Sequence, residues 1–218
     1  MPERGVVRGT SGVKYDRDVF INCPFDVVYE PNFHAISFTI LSCGFTPRSA
    51  LEIIDGGTTR IDIIVRLIEE CRIGIHDLSR VELNTEGLPR FNMPFELGLF
   101  VGAQRLGKGR QRQKKCLILD SEPFRYQKFI SDIAGQDIAA HGNDLGRAIA
   151  RVREFLTNFI PENEALPPGG VHIAEDFADF QSALPELCRP ARIQPDELQF
   201  VERTRLAREW LIRRVGRT

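Results

Sequence analysis

Short runs of apolar residues alternate with segments in which apolar residues recur every three or four positions, from about residue 18 to residue 159. The short runs predict buried strands, and the longer period predicts helices with one buried face. Strands are predicted at 18–25, 45–51, 72–79, 116–120 and 137–140, and helices at 31–43, 59–68, 94–106, 124–133 and 144–159. Alternation of this kind favours a doubly wound α/β parallel sheet of about five strands with right-handed crossovers.

The chain divides into four predicted segments. Residues 1–16 show no period and are expected to be disordered, and residues 17–160 form the α/β domain. The proline- and glycine-rich stretch 161–170 predicts a linker, and 171–218 predicts a C-terminal helical extension. The extension has apolar residues at helical spacing, including Phe177, Phe180 and Trp210, which must be buried. We expect them to fold back on the sheet domain or to cover a second subunit, so a homo-oligomer is predicted.

Composition and charge narrow the functional classes. The net charge is −1 and no apolar run approaches eighteen residues, so neither nucleic acid nor a membrane is expected as a partner. The five cysteines are scattered without C-x-x-C pairs, which indicates reduced core thiols of a cytoplasmic protein and no metal site. The basic run 108–115 contains no aromatic residue, so we expect a solvated loop; a phosphate or nucleic-acid contact is the alternative.

One acidic residue, Glu96, opens an otherwise apolar helix. It stands in the segment Asn92-Met93-Pro94-Phe95-Glu96-Leu97-Gly98, where Pro94 suits a helix start. The first turn of a helix favours an ionised carboxylate, which a nucleophile or a stabiliser of an oxocarbenium ion requires. The alternative is that Glu96 only complements the helix dipole.

Further candidate residues lie where the predicted strands end. Ligands bind at the carboxyl ends of strands in open parallel sheets, and Asp77 ends the third predicted strand. Gly56, Gly57 and Arg60 precede a helix and could hold a phosphate, although an ordinary loop has the same composition. The remaining candidates for ligand contact are Asn22, Pro24, Phe25, Asp26, Ser79, Asn92 and Phe95.

Three short motifs are similar to those of two known families. The stretch Tyr15-Asp16-Arg17-Asp18-Val19-Phe20-Ile21-Asn22 resembles the opening strand of Toll/interleukin-1 receptor (TIR) domains. Cys23-Pro24-Phe25 is similar to the turn that follows the first strand of nucleoside 2-deoxyribosyltransferases. The latter family also has an aspartate at a strand end and then Glu-Leu-Gly on a helix, which is the arrangement of Asp77 with Glu96-Leu97-Gly98. The resemblance covers about residues 18–120.

Two segments depart from these families. Asn22-Cys23-Pro24 replaces the Ser-Tyr that follows the first strand in TIR domains. Arg90-Phe91-Asn92-Met93-Pro94 replaces the glycine-threonine approach to the transferase glutamate. Both departures concern the substrate side of the site.

The resemblance implies a flavodoxin-like sheet and a helix-borne catalytic glutamate. The activity that it implies is cleavage of the N-glycosidic bond of NAD or a related nucleotide or nucleoside, by hydrolysis or transfer, as in bacterial antiphage defence effectors. Glu96 would be the nucleophile or stabiliser, Asp77 a contact to ribose or base, and Arg60 with Gly56 and Gly57 the phosphate side. No cofactor is expected besides the nucleotide substrate. The alternative is a non-catalytic module of the same fold that binds a nucleotide signal or another protein.

Overall fold

A computed structural model describes residues 10–81, 83, 87, 88 and 90–215. Its strands are β1 (Asp18–Asn22), β2 (Thr46–Arg48), β3 (Ile73–Asp77), β4 (Lys115–Asp120) and β5 (Ile138–Ala140). Its α-helices are α1 (Thr10–Arg17), α2 (Glu30–Ser42), α3 (Arg60–Glu70), α4 (Asn92–Leu106), α5 (Leu145–Thr157), α6 (Gly170–Cys188) and α7 (Phe200–Val215). No helix in these ranges has both the length and the apolar content to cross a membrane.

The five strands form one parallel sheet in the order β2-β1-β3-β4-β5. This order confirms the prediction of a doubly wound, flavodoxin-like α/β fold. The chain winds outward in both directions from β1 and β3, which pair from Val19 opposite Ile73 to Asn22 opposite His76. Ligands of such folds bind outside the carboxyl ends of the two strands at which the order reverses. The fold therefore predicts a ligand site at the carboxyl ends of β1 and β3.

Helices cover both faces of the sheet. Along β1, Val19 and Ile21 point to the core shared with α2 and α5, whereas Phe20 points to the core shared with α3 and α4. Alternate side chains of a strand point to opposite faces, so a strand buried on both sides is apolar throughout. Residues 19–21 of β1 are continuously apolar because helices cover this strand on both faces of the sheet.

The C-terminal extension packs against the sheet domain and shares its core. The rings of Phe177 and Phe180 lie 5.5 and 5.4 Å from the ring of Phe38 on α2, and Trp210 lies 6.0 Å from it. Phe180 retains 1% of its surface. Of the two outcomes expected for this extension, folding back on its own domain is therefore the one found. The apolar stripe is satisfied within one chain, and the predicted oligomer gains no support from it.

Two predicted segments are wrong. Residues 10–16 were expected to be disordered but lie in α1, which is anchored by Tyr15: its buried hydroxyl donates to the carbonyl of Arg110 at 2.7 Å. Residues 1–9 lie outside the described part. The helix expected at 124–133 is replaced by two short 3₁₀ turns, because Phe124 has a left-handed backbone (φ 60°) and Arg125 is held by Asp120 and the carbonyl of Leu78.

The basic run is exposed except at one residue. Lys108, Arg110, Arg112 and Lys115 face solvent as expected, but Lys114 is completely buried. Its ammonium donates to the carbonyls of Ile68 and Cys71 at the end of α3 and lies 4.6 Å from the centre of the Phe100 ring. Burial lowers the pKa of Lys114 to about 8. This lysine satisfies carbonyls that the end of a helix leaves unpaired, so its role is structural.

Candidate functional site

The site lies at the carboxyl ends of β1 and β3, where the strand order reverses. β1 ends at Asn22 and is followed by the loop of residues 23–29, and β3 ends at Asp77. Burial and the negative charges of Asp77, Glu96 and Asp26 together raise the pKa of Cys23 well above its ordinary value. The charges of three predicted acidic residues therefore act on the thiol that directly follows β1.

Glu96 is buried and lacks a polar partner. It is the fifth residue of α4, after the N-cap residue Phe91, so it lies two residues further into the helix than the predicted start at residue 94 implied. The residue is 7% exposed, and no hydrogen bond or ion pair reaches it from the described residues. Burial raises the pKa of Glu96 to about 7, against the opposing positive charge of Arg60. Burial therefore opposes the ionised form that the helix start was expected to favour, and it outweighs the charge of Arg60.

Asp77 is enclosed in a hydrogen-bond network inside the protein. Tyr29 donates its hydroxyl to Oδ2, and the backbone N–H of Ser79 donates to Oδ1 at 2.8 Å. His141 Nε2 lies 3.1 Å from Oδ2, and His141 Nδ1 accepts from the N–H of Asn143. Burial alone would raise the pKa of Asp77, but contacts from His141, Ser79 and Tyr29 outweigh it and lower the pKa. With 1% exposure, Asp77 does not reach a ligand, so its predicted ribose or base contact is not what the structure has.

Asn22 joins β1 to both β3 and α4. Its Nδ2 donates to His76 Nδ1 and to the carbonyl of Met93, each at 3.0 Å. Burial, and then the charge of Lys114, lower the pKa of His76 to about 3, so the ring is neutral. The ring occupies space that Gly74 leaves open, since a Cβ there would lie 2.6 Å from His76 Nε2. Asn22, expected to contact a ligand, instead positions the first turn of α4.

Two cavities flank the loop after β1, and they share the residues Pro24, Phe25 and Asp26. We call these three residues the ridge. The apolar cavity, of about 510 Å³, lies on the β2 side and is lined by Val27, Glu30, Phe33, His34, Ala50, Leu51, Ile53, Ile54, Arg60, Leu198, Gln199, Phe200 and the ridge. The basic cavity, of about 480 Å³, lies on the β3 side and is lined by Arg80, Arg90, Phe91, Asn92, Met93 and the ridge. Glu96 lines neither of them.

The ridge is held in place by charge. The carboxylate of Asp26 lies 2.9 Å from Nη1 of Arg90 and 3.6 Å from Nη2 of Arg80. It also accepts a hydrogen bond from the backbone N–H of Tyr29 at 3.1 Å. The loop after β1 is thus tied to the loop after β3 across the point where the strand order reverses.

Comparison of the chain with protein-family models, with curated proteins and with solved structures finds no match. The geometry of the site is therefore the basis for assigning its chemistry. No group of three or more histidine, cysteine or acidic side chains in the described ranges is arranged to hold a metal ion.

The other predicted site residues fall in different places. Gly56 and Gly57 are exposed and line neither cavity, and the N–H of Gly57 already donates to Asp55 Oδ1 at 2.9 Å. The phosphate contact expected of the two glycines therefore stays a prediction. Ser79 is buried, its Oγ has no partner among the described residues, and Phe95 is 57% exposed on α4. Arg60 does line the apolar cavity, where its guanidinium lies 5.4 Å from the centre of the Phe25 ring.

Several site residues had not been predicted. Tyr29 and His141 surround Asp77, Arg80 and Arg90 line the basic cavity, and Leu198, Gln199 and Phe200 bring the C-terminal extension into the apolar cavity. The position of Arg80 and Arg90 in the loop after β3 was a usable signal, since that loop follows a strand at the switch point. No sequence pattern connects residues 198–200 with the loop after β1.

Proposed function

We propose that the protein is an N-glycosidase that acts on a nucleotide or nucleoside, with Glu96 as the catalytic carboxylate. The observation that carries the proposal is Glu96 itself: a buried carboxylate without a polar partner among the described residues, on the helix whose first turn is hydrogen-bonded to Asn22 at the end of β1. Burying a carboxylate without a partner destabilises the folded protein, and groups of this kind are enriched at functional sites. The families that the sequence resembles use a helix-borne glutamate for this chemistry.

The raised pKa of Glu96 fits the reaction. In hydrolysis the bond between C1′ and the base nitrogen breaks, its electron pair leaves with the base, and water oxygen bonds to C1′. One proton of that water is lost and the departing base gains one. A group with a pKa of about 7 exchanges protons efficiently near neutral pH, and its ionised form stabilises the positive charge that develops on the sugar. Glu96 can supply both effects.

Asp77 has an indirect role in this proposal. Its carboxylate holds Tyr29, at the start of α2, and His141, after β5, and thereby fixes the elements that surround the site. It is a positioning residue and does not touch the substrate. The oligomer and the defence role that the resemblance implies stay predictions.

One observation favours a second candidate, a module that binds a nucleotide without cleaving it. Glu96 lines neither of the two cavities, so a ligand held in them touches the carboxylate only after a side chain moves. Binding with no turnover would favour the module.

Free base is the product that tests the proposal. Purified full-length protein is incubated with NAD, with the common ribonucleotides and with deoxynucleosides, and the products are separated by chromatography. We expect one of these compounds to release its free base with the wild-type protein and not with Glu96→Gln. Glu122→Gln, another glutamate outside both cavities, should behave as the wild type. Equal release by wild type and Glu96→Gln would exclude Glu96 as the catalytic group.

A further inference from the structure

The apolar cavity and the basic cavity differ in charge. Among the described residues, the apolar cavity is lined by the carboxylates of Asp26 and Glu30 and by the guanidinium of Arg60. The described residues of the basic cavity include the guanidiniums of Arg80 and Arg90 and the carboxylate of Asp26. An anion is therefore disfavoured in the first and favoured in the second. Because both cavities meet at the ridge, one ligand can extend across it.

The apolar cavity suits a planar, uncharged group. The rings of Phe25 and Phe200 lie 5.4 Å from the ring of Phe33, one edge-on and one stacked, which gives a continuous aromatic wall. His34 is neutral at physiological pH, because burial and then the charge of Arg203 lower its pKa to about 4. A cavity of several hundred Å³ with apolar walls and a few polar groups is typical of a small-molecule site. The side chain of Gln199 supplies a donor and an acceptor at its rim.

The basic cavity suits a phosphate. Guanidinium groups match the geometry of phosphate oxygens and bind them with charge-assisted hydrogen bonds. In this structure the carboxylate of Asp26 occupies the position between Arg80 and Arg90 that an anion would take. A phosphate would therefore compete with Asp26 for the same arginines.

We infer that the two cavities form one divided site for a phosphorylated nucleoside, with the base in the apolar cavity, the phosphate in the basic cavity and the sugar over the ridge. The assignment rests on the proposed function, and it narrows the substrate from nucleosides in general to nucleotides. The divided site borders the first turn of α4, since Asn92 and Met93 line the basic cavity and Glu96 follows Met93 by three residues on that helix. The C-terminal extension acquires a role, because Leu198, Gln199 and Phe200 complete the wall of the apolar cavity.

Binding measurements test this independently of turnover. The full-length protein is titrated calorimetrically with AMP, GMP, CMP and UMP and with the four corresponding nucleosides. We expect at least one monophosphate to bind about tenfold more tightly than its nucleoside, which is the gain from one charge-assisted hydrogen bond. Arg90→Gln should reduce that difference. Arg105→Gln, an exposed arginine at the end of α4, is the matched control and should change neither.

Two further variants separate the two cavities. Asp26→Asn keeps an oxygen for the N–H of Tyr29 but removes the charge that competes with phosphate, so monophosphate affinity should rise. Leu51→Gln should weaken nucleoside and monophosphate by the same factor, whereas Leu166→Gln, in the distant exposed stretch before α6, should weaken neither.

The possible failures are distinct. If no monophosphate binds more tightly than its nucleoside, or if Arg90→Gln and Arg105→Gln behave alike, the divided site is wrong. If the monophosphate binds as described but its base is never released, the divided site stands and the glycosidase proposal fails.

Discussion

His141 Nε2 lies 3.1 Å from Asp77 Oδ2, and both side chains are almost fully removed from solvent. His141 follows the edge strand β5, whereas Asp77 ends the central strand β3. Because His141 Nδ1 accepts the N–H of Asn143, the ring proton of the neutral histidine must be on Nε2, facing the carboxylate. The pair therefore joins the centre of the sheet to its edge at the end that bears the site.

Asp77→Asn should destabilise the protein. An amide has one accepting oxygen, whereas the carboxylate accepts from the Tyr29 hydroxyl at Oδ2 and from the Ser79 N–H at Oδ1, so we expect the free energy of unfolding to fall by about 2–4 kcal/mol in urea titrations at pH 7. The pKa of Asp77 is lowered on folding, so its contribution is present above the ordinary aspartate pKa and is lost as pH falls through the folded value. The difference between wild type and variant should therefore shrink in acid. Asp196→Asn, at an exposed residue, is the control; equal stability of Asp77→Asn and this control would contradict the network.

Gly74→Ala should also destabilise, for a steric reason. The new methyl group would lie 2.6 Å from His76 Nε2 and 2.8 Å from the Phe100 ring, all inside the core. Overpacking of this kind costs about 1–3 kcal/mol. Gly98→Ala in α4 meets nothing within 4 Å and should instead stabilise by about 0.5–1 kcal/mol, as alanine does in helices. Thermal unfolding of the two variants should move in opposite directions; a shift of the same sign in both would contradict the packing described for β3.

Phe180→Ala tests the docking of the C-terminal extension. Its ring is buried against Phe38 and Trp210, so the cavity left behind should cost about 3–5 kcal/mol. Val171→Ala, at an exposed residue of the same helix, should stay within about 0.5 kcal/mol of wild type. Urea unfolding followed by Trp210 fluorescence measures both. If Phe180→Ala were as stable as the wild type, the packing of the C-terminal extension against the sheet domain would be contradicted.

The burial of Glu96 has a consequence for stability at different pH values. Its pKa is about 7 in the folded protein and near 4.5 when unfolded, so the folded state prefers the protonated acid. The resulting stability is complete below the unfolded pKa and is lost as pH rises through about 7. Relative to wild type, Glu96→Gln should therefore gain stability between pH 4.5 and pH 8, by up to about 3 kcal/mol. Unfolding curves of the two proteins at several pH values check this, and a constant difference would mean that Glu96 is solvated.

The strands of the sheet could be predicted from the sequence, because the spacing of apolar residues reflects which side chains are buried. The continuous apolar runs became β1, β3 and β4, and Thr59 caps α3 by accepting the N–H of Asp62, at the place where the helix 59–68 was predicted to begin. The apolar stripe that contains Phe177 and Phe180 predicted that one face of this helix is buried. It did not predict which surface covers that face, since any apolar surface can do so.

The contacts and charge states of the site residues were harder to predict from the sequence than the fold. Asp77 was correctly placed at a strand end, but its partners Tyr29 and His141 come from distant parts of the chain, so its network could not be seen. Glu96 was placed on the correct helix, yet its charge state depends on how deeply α4 is buried. Local motifs specify which side chains occur near one another in sequence, and the pKa of a carboxylate depends on neighbours that only the fold supplies.

Catalysis by Glu96 is tested most directly by the rate of free-base release as a function of pH. With the compound that the wild-type protein cleaves, kcat/KM should rise with pH and level off above about 7, because the ionised form of Glu96 stabilises the sugar cation. Glu96→Gln, with the fold intact by circular dichroism, should release no base at any pH. If Glu96→Gln releases base at the wild-type rate with the same pH profile, Glu96 is not the catalytic group.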